Sequence, residues 1–277
     1  MNATPALQRK ATVAAVGAAQ SAPMLVPGRT CWRLEHADRL SFLVDGDDYF
    51  RAVRSVIASA RHSIFILGWD FDSRMRLVPG GAGDGFPEPL SEFLDAVVGS
   101  RPALHAYVLA WDFAMLYTFE REWLPAYQFG RNTPRVAFRL DNRHPLGACH
   151  HQKVVVVDDE IALLGGFDLT RCRWDTSAHG GVAPLRNDAA GNAYGPFHDI
   201  GAMVSGSCAR ALGDLARDRW TRAAGSPPLV SPANADPGRW PANVPVDLTD
   251  VAVGIVRTEP VFAASAGVTE VRAMYQS

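Results

Sequence analysis

One stretch constrains this chain more than any other: His150 to Thr170, which reads H-H-Q-K-V-V-V-V-D-D-E-I-A-L-L-G-G-F-D-L-T. Val154 to Val157 are β-branched residues in unbroken succession, the pattern of a strand buried on both faces. Asp158, Asp159 and Glu160 supply a turn, and Ile161 to Leu164 read as a second short strand that ends at Gly165 and Gly166. The spacing predicts a hairpin with an imidazole, His151, and an ammonium, Lys153, at its mouth. Two residues apart on a strand, these side chains would face the same side.

That pairing has a chemical use. A neutral imidazole can attack phosphorus and form a covalent phospho-histidine. An ammonium on the same face can hold a non-bridging phosphate oxygen and stabilise charge in the transition state. Glycines let backbone approach a ligand closely. This chemistry requires no metal and no cofactor. The plainer alternative is a buried valine strand with a surface His and Lys at its start, and the fixed spacing of three polar residues plus a downstream Gly-Gly argues against it.

The string from His151 to Asp158, followed by Gly165 to Thr170, resembles the H-x-K-x(4)-D motif of the phospholipase D superfamily. The double His150-His151 and the G-G-F-D-L-T run look more like the phosphatidylcholine-type enzymes than the small nucleases of that superfamily. Flanking segments extend the resemblance over roughly residues 27 to 275: Arg171 to Asp175 (R-C-R-W-D), Phe197-His198-Asp199, and a following helix carrying Trp220. The resemblance implies an α/β fold, an α/β/α sandwich with a mixed sheet, present as one repeat only. It implies His151 as nucleophile, Lys153 as holder of phosphate oxygens, and Asp158 as support for loop geometry. It places Gly165, Gly166 and Asp168 beside the substrate. Asp199 takes the position of the carboxylate that orients the imidazole, with Asp168 and Asp175 in reserve.

Composition sets outer bounds. The chain has 277 residues, 48% hydrophobic and 20% charged, as an ordinary globular chain has. A formal net charge of -2 advertises no basic field for nucleic acid. Cys31, Cys149, Cys172 and Cys208 show no zinc spacing and suit free thiols in a reducing compartment. Cys149, beside the motif, reads as a small buried hydrophobe. No apolar run suffices to span a bilayer. The expected location is cytoplasmic, with peripheral contact to a membrane allowed.

Taken in order, residues 1-26 read as a disordered tail with a faint imitation of a secretory signal. Residues 27-225 form the main domain. Leu40 to Val44 suggest a strand, Asp45-Gly46 a turn, and Asp47 or Asp48 the cap of a helix that closes near His62. Ser63 to Trp69 and Leu104 to Ala110 are further strands, each running into Trp-Asp-Phe, so Asp70 and Asp112 share one rim of a sheet. Met115 to Trp123 suggest a helix. Residues 226-248 are Pro-rich and read as a linker. Residues 249-277 read as the start of a second, truncated repeat, because Val268 to Ser277 echoes the helix opening at Tyr49.

Only one H-x-K occurs in the sequence. Phosphodiester transfer needs a nucleophile on one side of phosphorus and an acid at the leaving oxygen on the other. The expected partner is therefore a second H-x-K-bearing half or a second copy of the chain, with a phospholipid and a water or alcohol acceptor as substrates. The alternatives are a homodimeric phosphodiesterase or nuclease and a non-catalytic remnant; net acidity and the long flanks argue against the nuclease.

Overall fold

The valine run becomes an interior strand because it has a partner on each side. A computed structural model of the chain describes residues 23–112, 128–229 and 239–277. In it β1 (Arg33–Val44), β2 (Ser63–Gly68), β3 (His105–Trp111), β4 (Val136–Asp141), β5 (Val154–Val157), β6 (Ile161–Gly165), β7 (Ile200–Ser205) and β8 (Leu248–Ile255) form one sheet. Its strand order is β4-β3-β2-β5-β6-β7-β1-β8. β2, β3 and β4 are mutually parallel, whereas β5 runs antiparallel to β2 and starts the antiparallel half.

Both faces of this sheet are covered. Val155 and Val157 join one core with α1 (Asp45–Ala58) and α2 (Leu90–Gly99). Val154 and Val156 join the other, under α3 (Ser207–Ala224). Each helix buries a stripe at three- and four-residue spacing: Tyr49, Phe50, Val53, Val56 and Ile57 on α1, and Cys208, Ala211, Leu212 and Leu215 on α3. The architecture is a mixed α/β sheet between helical layers, as the motif resemblance implied.

Three local expectations are corrected. β1 begins at Arg33 rather than Leu40, because Arg33 to Leu40 pair with β8, more than two hundred residues later in the chain. No local pattern carries such a partner. α1 starts at Asp45 without a side-chain cap from Asp47 or Asp48, and it ends at Ala58. Asp45 takes the left-handed conformation (φ 66) and is buried, its carboxylate drawn to His179 and His198. The expected helix over Met115 to Trp123 lies outside the described residues.

The end of the chain also differs from its reading. Val244 is buried in the α1/α2 core, Trp240 packs against it, and Arg239 pairs with Asp158 and Glu160, so 239–244 is docked rather than a free linker. β8 extends the same sheet, so a boundary at residue 249 does not separate it from the domain. Beyond it lie a small ladder of β9 (Thr258–Glu259) with β10 (Val268–Thr269) and the short α4 (Glu270–Tyr275). No helix among the described residues is long and apolar enough to cross a membrane.

Candidate active site

Strand direction brings the singled-out residues to one rim. The carboxyl ends of β2, β3 and β4 lie beside the start of β5, the end of β6, the start of β7 and the end of β1. Trp69, Trp111, Asp141, His151, Lys153, Asp168, Asp199 and Asp45 all lie at or just past these ends. Ligand sites in α/β sheets occur at such rims. Trp69 and Trp111 stack there, ring centroids 5.5 Å apart, and His151 stands edge-on to Trp69 at 6.4 Å.

His151 and Lys153 precede the β5 ladder, which opens at Val154 opposite Leu67. His151 is exposed, and no hydrogen bond of its ring is formed among the described residues. Lys153 is not open in the same way. Its side chain is 5% exposed and its ammonium lies 3.0 Å from Oδ2 of Asp168, itself 3% exposed. Lys153 also donates to the His151 carbonyl at 3.2 Å. Asp168 in turn accepts the Trp69 N–H at 2.7 Å through Oδ1. One carboxylate thus ties the motif lysine to the end of β2.

The glycine pair has a steric reason. A Cβ at Gly165 would meet Ile200 O and Gly201 Cα at 2.6 Å, and one at Gly166 would meet the Asp199 carboxylate at 1.9 Å. Only glycine lets β6 end against β7 and lets Asp199 lie over the loop. Asp199 accepts the Ile200 N–H at 2.8 Å and makes no hydrogen bond to His151 among the described residues. It acts on the ring through its charge. Burial and the Lys153 ammonium lower the His151 pKa, while Asp168 and Asp199 oppose the shift. The imidazole therefore stays neutral to a lower pH than an ordinary histidine.

Asp158 sits at the opposite end of β5 from His151, with the four-residue strand, about 13 Å long, between them. It is fully buried and accepts the N–H groups of Arg61, His62 and Ser63 at 2.8, 2.7 and 2.8 Å. Asp175, one of the reserve acids, is occupied elsewhere: its carboxylate binds Arg186 at 3.0 Å and takes the Phe197 N–H at 3.0 Å.

Two groupings escaped the sequence reading. The first flanks His151. Asp141, at the end of β4, lies 3.3 Å from Nε2 of His150 and accepts Nη2 of Arg219 at 2.6 Å, while Arg219 donates to Gln152 Oε1 at 2.6 Å. Both neighbours of His151 are thereby tied to one buried acid and one α3 arginine. Burial opposes ionisation of Asp141, but the nearby His150 imidazole and the Arg219 guanidinium outweigh it and hold its carboxyl well below the usual range. A depressed carboxyl stabilises the fold above its unfolded pKa, about 3.9, and that contribution is lost as pH falls through the folded value. Asp141→Asn should therefore cost stability near neutral pH, and the gap to the parent should narrow below about pH 4. Urea midpoints of the two proteins at pH 6 and pH 3 test this; a gap that widens in acid contradicts it.

The second grouping is Asp45, His179 and His198, whose donor atoms all lie within 4.8 Å of one another. His198 Nδ1 is 2.7 Å from Asp45 Oδ1, and His179 Nε2 is 3.2 Å from Asp45 Oδ2. These residue types could hold a divalent cation, although the chemistry argued from the motif calls for none. His198 Nδ1 and Asp45 Oδ1 are hydrogen-bonded, whereas the buried Asp45 Oδ2 has no hydrogen-bond partner among the described residues. The sequence signal was slight, since Asp45 looked like a turn residue and His198 entered only as part of F-H-D.

Beside His151 a cavity of about 260 Å³ is lined by Arg143, Cys149, His150, Arg219 and Phe262. Cys149 is exposed here, not the small buried hydrophobe expected, because it lies in the coil before β5 rather than in the ladder.

Comparison with known proteins agrees with the motif. The chain is 23% identical over 216 residues to phospholipase D B of Dictyostelium discoideum, covering 66% of this chain and 17% of that protein. It is 26% identical over 224 residues to phospholipase D alpha 4 of Arabidopsis thaliana, covering 65% and 28%. With phospholipase D2 of Bos taurus it shares 29% over 141 residues, covering 48% and 14%. These similarities support the phospholipase D superfamily as the group the chain resembles. It spans less than a third of the length of these relatives. Among solved structures, a phospholipase D family member, Nuc from Salmonella typhimurium, aligns with a TM-score of 0.43 and 16% identity over 66% of this chain and 95% of that one, a likeness too distant to argue from. No family model matches the chain.

Proposed function

We propose that this chain supplies one half of a phospholipase D-type site, a phosphodiesterase or phosphatidyltransferase acting on glycerophospholipid headgroups. The observation that carries the reading is the exposed His151, its pKa lowered, beside the Lys153–Asp168 pair at the rim. His151 attacks phosphorus, the headgroup alcohol leaves with a proton, and water or an alcohol then releases the phosphatidyl group from the histidine. Lys153, positioned by Asp168, places positive charge near the non-bridging oxygens. Gly165 and Gly166 keep that approach open, Asp158 maintains the far end of the strand, and Asp199 tunes the imidazole through its charge.

The leaving-group acid comes from a second H-x-K, on another half or another copy. A surface suited to such a partner adjoins Asp199. Phe42 and Ile200 are each 51% exposed, and Val44, cross-strand partner of Ile200, is exposed with them. Alternation along β1 puts Phe42 and Val44 on the face of Leu40, beyond the reach of α3. An apolar patch of this kind fits burial in an interface. A homodimeric phosphodiesterase uses the same surface with two copies of His151.

The test is headgroup release from phosphatidylcholine by the chain alone, by the chain at concentrations where sedimentation shows a dimer, and with a second H-x-K-bearing half added. Turnover only in the paired states is expected. Robust turnover by the monomer contradicts the half-site reading, and cleavage of DNA in place of lipid favours the nuclease alternative. The ring of His151 offers a check independent of turnover. Its NMR titration midpoint should lie below the ordinary value of about 6.5, fall further in Asp199→Asn, and rise in Lys153→Gln. An unmoved midpoint in both variants removes the electrostatic part of the assignment.

A further inference from the structure

A second cavity, of about 310 Å³, opens between the segment after β2 and the segment after β6. It shares no lining residue with the cavity at His151. Its wall carries four guanidinium groups, Arg74, Arg76, Arg171 and Arg173, and two carboxylates, Asp72 and Asp188. In a chain of formal net charge -2, this is a local reversal of sign.

Part of that charge is already used. Asp72 accepts Nε and Nη2 of Arg74 at 3.0 and 2.9 Å. Arg173 lies over the Phe197 ring at 5.0 Å and donates to the Cys172 carbonyl at 3.3 Å. Asp188 accepts the N–H groups of Ala190 and Asn192 at 2.9 and 2.8 Å. Arg76 and Arg171 remain, with no side-chain hydrogen bond or ion pair among the described residues.

Two guanidiniums outside any ion pair at one cavity ask for a ligand that is anionic and rich in acceptor oxygens. Met75 and Leu185 give the same cavity an apolar side.

We propose that this cavity binds a phosphoryl anion. Arg76 and Arg171 pair with its charge, and the apolar side receives whatever organic group it carries. A carboxylate offers fewer oxygens, and a neutral ligand leaves the arginines unpaired. The phosphoryl group could be free phosphate or the phosphomonoester headgroup of a lipid. The inference does not rest on the proposed reaction, because the cavity is separate from His151 and binding is measured without turnover.

The experiment is titration calorimetry at constant ionic strength on the His151→Asn chain, which cannot turn the probe over; the cavity arginine variants below separate binding here from binding at Lys153 on the rim. The probes are inorganic phosphate, dihexanoyl phosphatidic acid and, as zwitterionic control, dihexanoyl phosphatidylcholine. Saturable one-to-one binding of phosphatidic acid over phosphatidylcholine is expected. The Arg76→Gln/Arg171→Gln pair should weaken it at least about tenfold, with little change in melting temperature because neither side chain forms a hydrogen bond or ion pair among the described residues. Phosphate binding as tightly as the lipid identifies the free anion as sufficient; phosphatidic acid binding at least about tenfold tighter identifies the headgroup. Both outcomes support the site. Absence of saturable binding by either anion, or undiminished binding in the double variant, overturns it.

Discussion

His151→Asn is expected to remove lipid turnover from the competent assembly, by about 10⁴-fold or more, the order that loss of a nucleophile produces, while leaving the fold intact. Asparagine is close in size and polar but cannot form the phospho-enzyme. The ring it replaces is exposed and makes no hydrogen bond among the described residues, so its removal leaves no buried group unpaired. Stability should therefore change by less than about 0.5 kcal/mol. The contrast with Lys153 makes the experiment discriminating. Lys153→Gln also removes a motif residue, but it strands the Asp168 carboxylate, 3% exposed, without its cation. Breaking a buried pair from one side costs about 3–5 kcal/mol, so lost activity there mixes chemistry with folding. Measurements of headgroup release, acid-labile phosphate on the protein and the urea midpoint should show the first two lost and the third unchanged in His151→Asn. Unaltered turnover removes His151 from the mechanism.

What the sequence could and could not reveal follows from the range of the interactions. Val154 to Val157 announce an interior strand because four β-branched residues suit no half-exposed one, and β5 indeed has a neighbour on each side. Gly165 and Gly166 mark a close approach because nothing else fits against Gly201 and Asp199. The rim was partly legible for the same reason: Trp69 and Trp111 end neighbouring parallel strands, so their proximity follows from strand direction. Asp141 was not legible. Its partners, His150 and Arg219, come from the coil before β5 and from α3, and only the tertiary fold makes them neighbours. β8 was missed as part of the sheet because its partner is β1, at the other end of the domain. Asp45 was misread because Asp-Gly is ordinarily a turn. Here the aspartate accepts a left-handed backbone while its carboxylate meets two histidines that follow it by more than a hundred residues.

Asp158→Ala should be among the most destabilising single substitutions in the chain, about 3–5 kcal/mol, and should act on activity only through the fold. The carboxylate is fully buried and gathers three consecutive N–H groups, from Arg61, His62 and Ser63, where the chain enters β2. Alanine leaves these donors without their acceptor, at about 1–3 kcal/mol for each one that water cannot reach. It also removes one of the two carboxylates that hold Arg239, the other being Glu160, and so loosens the docking of residues 239–244. Asn should recover part of the loss, since its amide oxygen can still accept while the charge facing Arg239 is gone. If Asp158 instead acted on substrate, some distance from His151 notwithstanding, Asn would abolish turnover with little change in stability. Paired measurements of urea midpoint and headgroup release on the Ala and Asn variants separate the two roles. The fold role requires that activity, measured where each variant is fully folded, stay within a few-fold of the parent, because β5 places Asp158 at its far end and the Lys153–Asp168 pair that faces the rim is untouched.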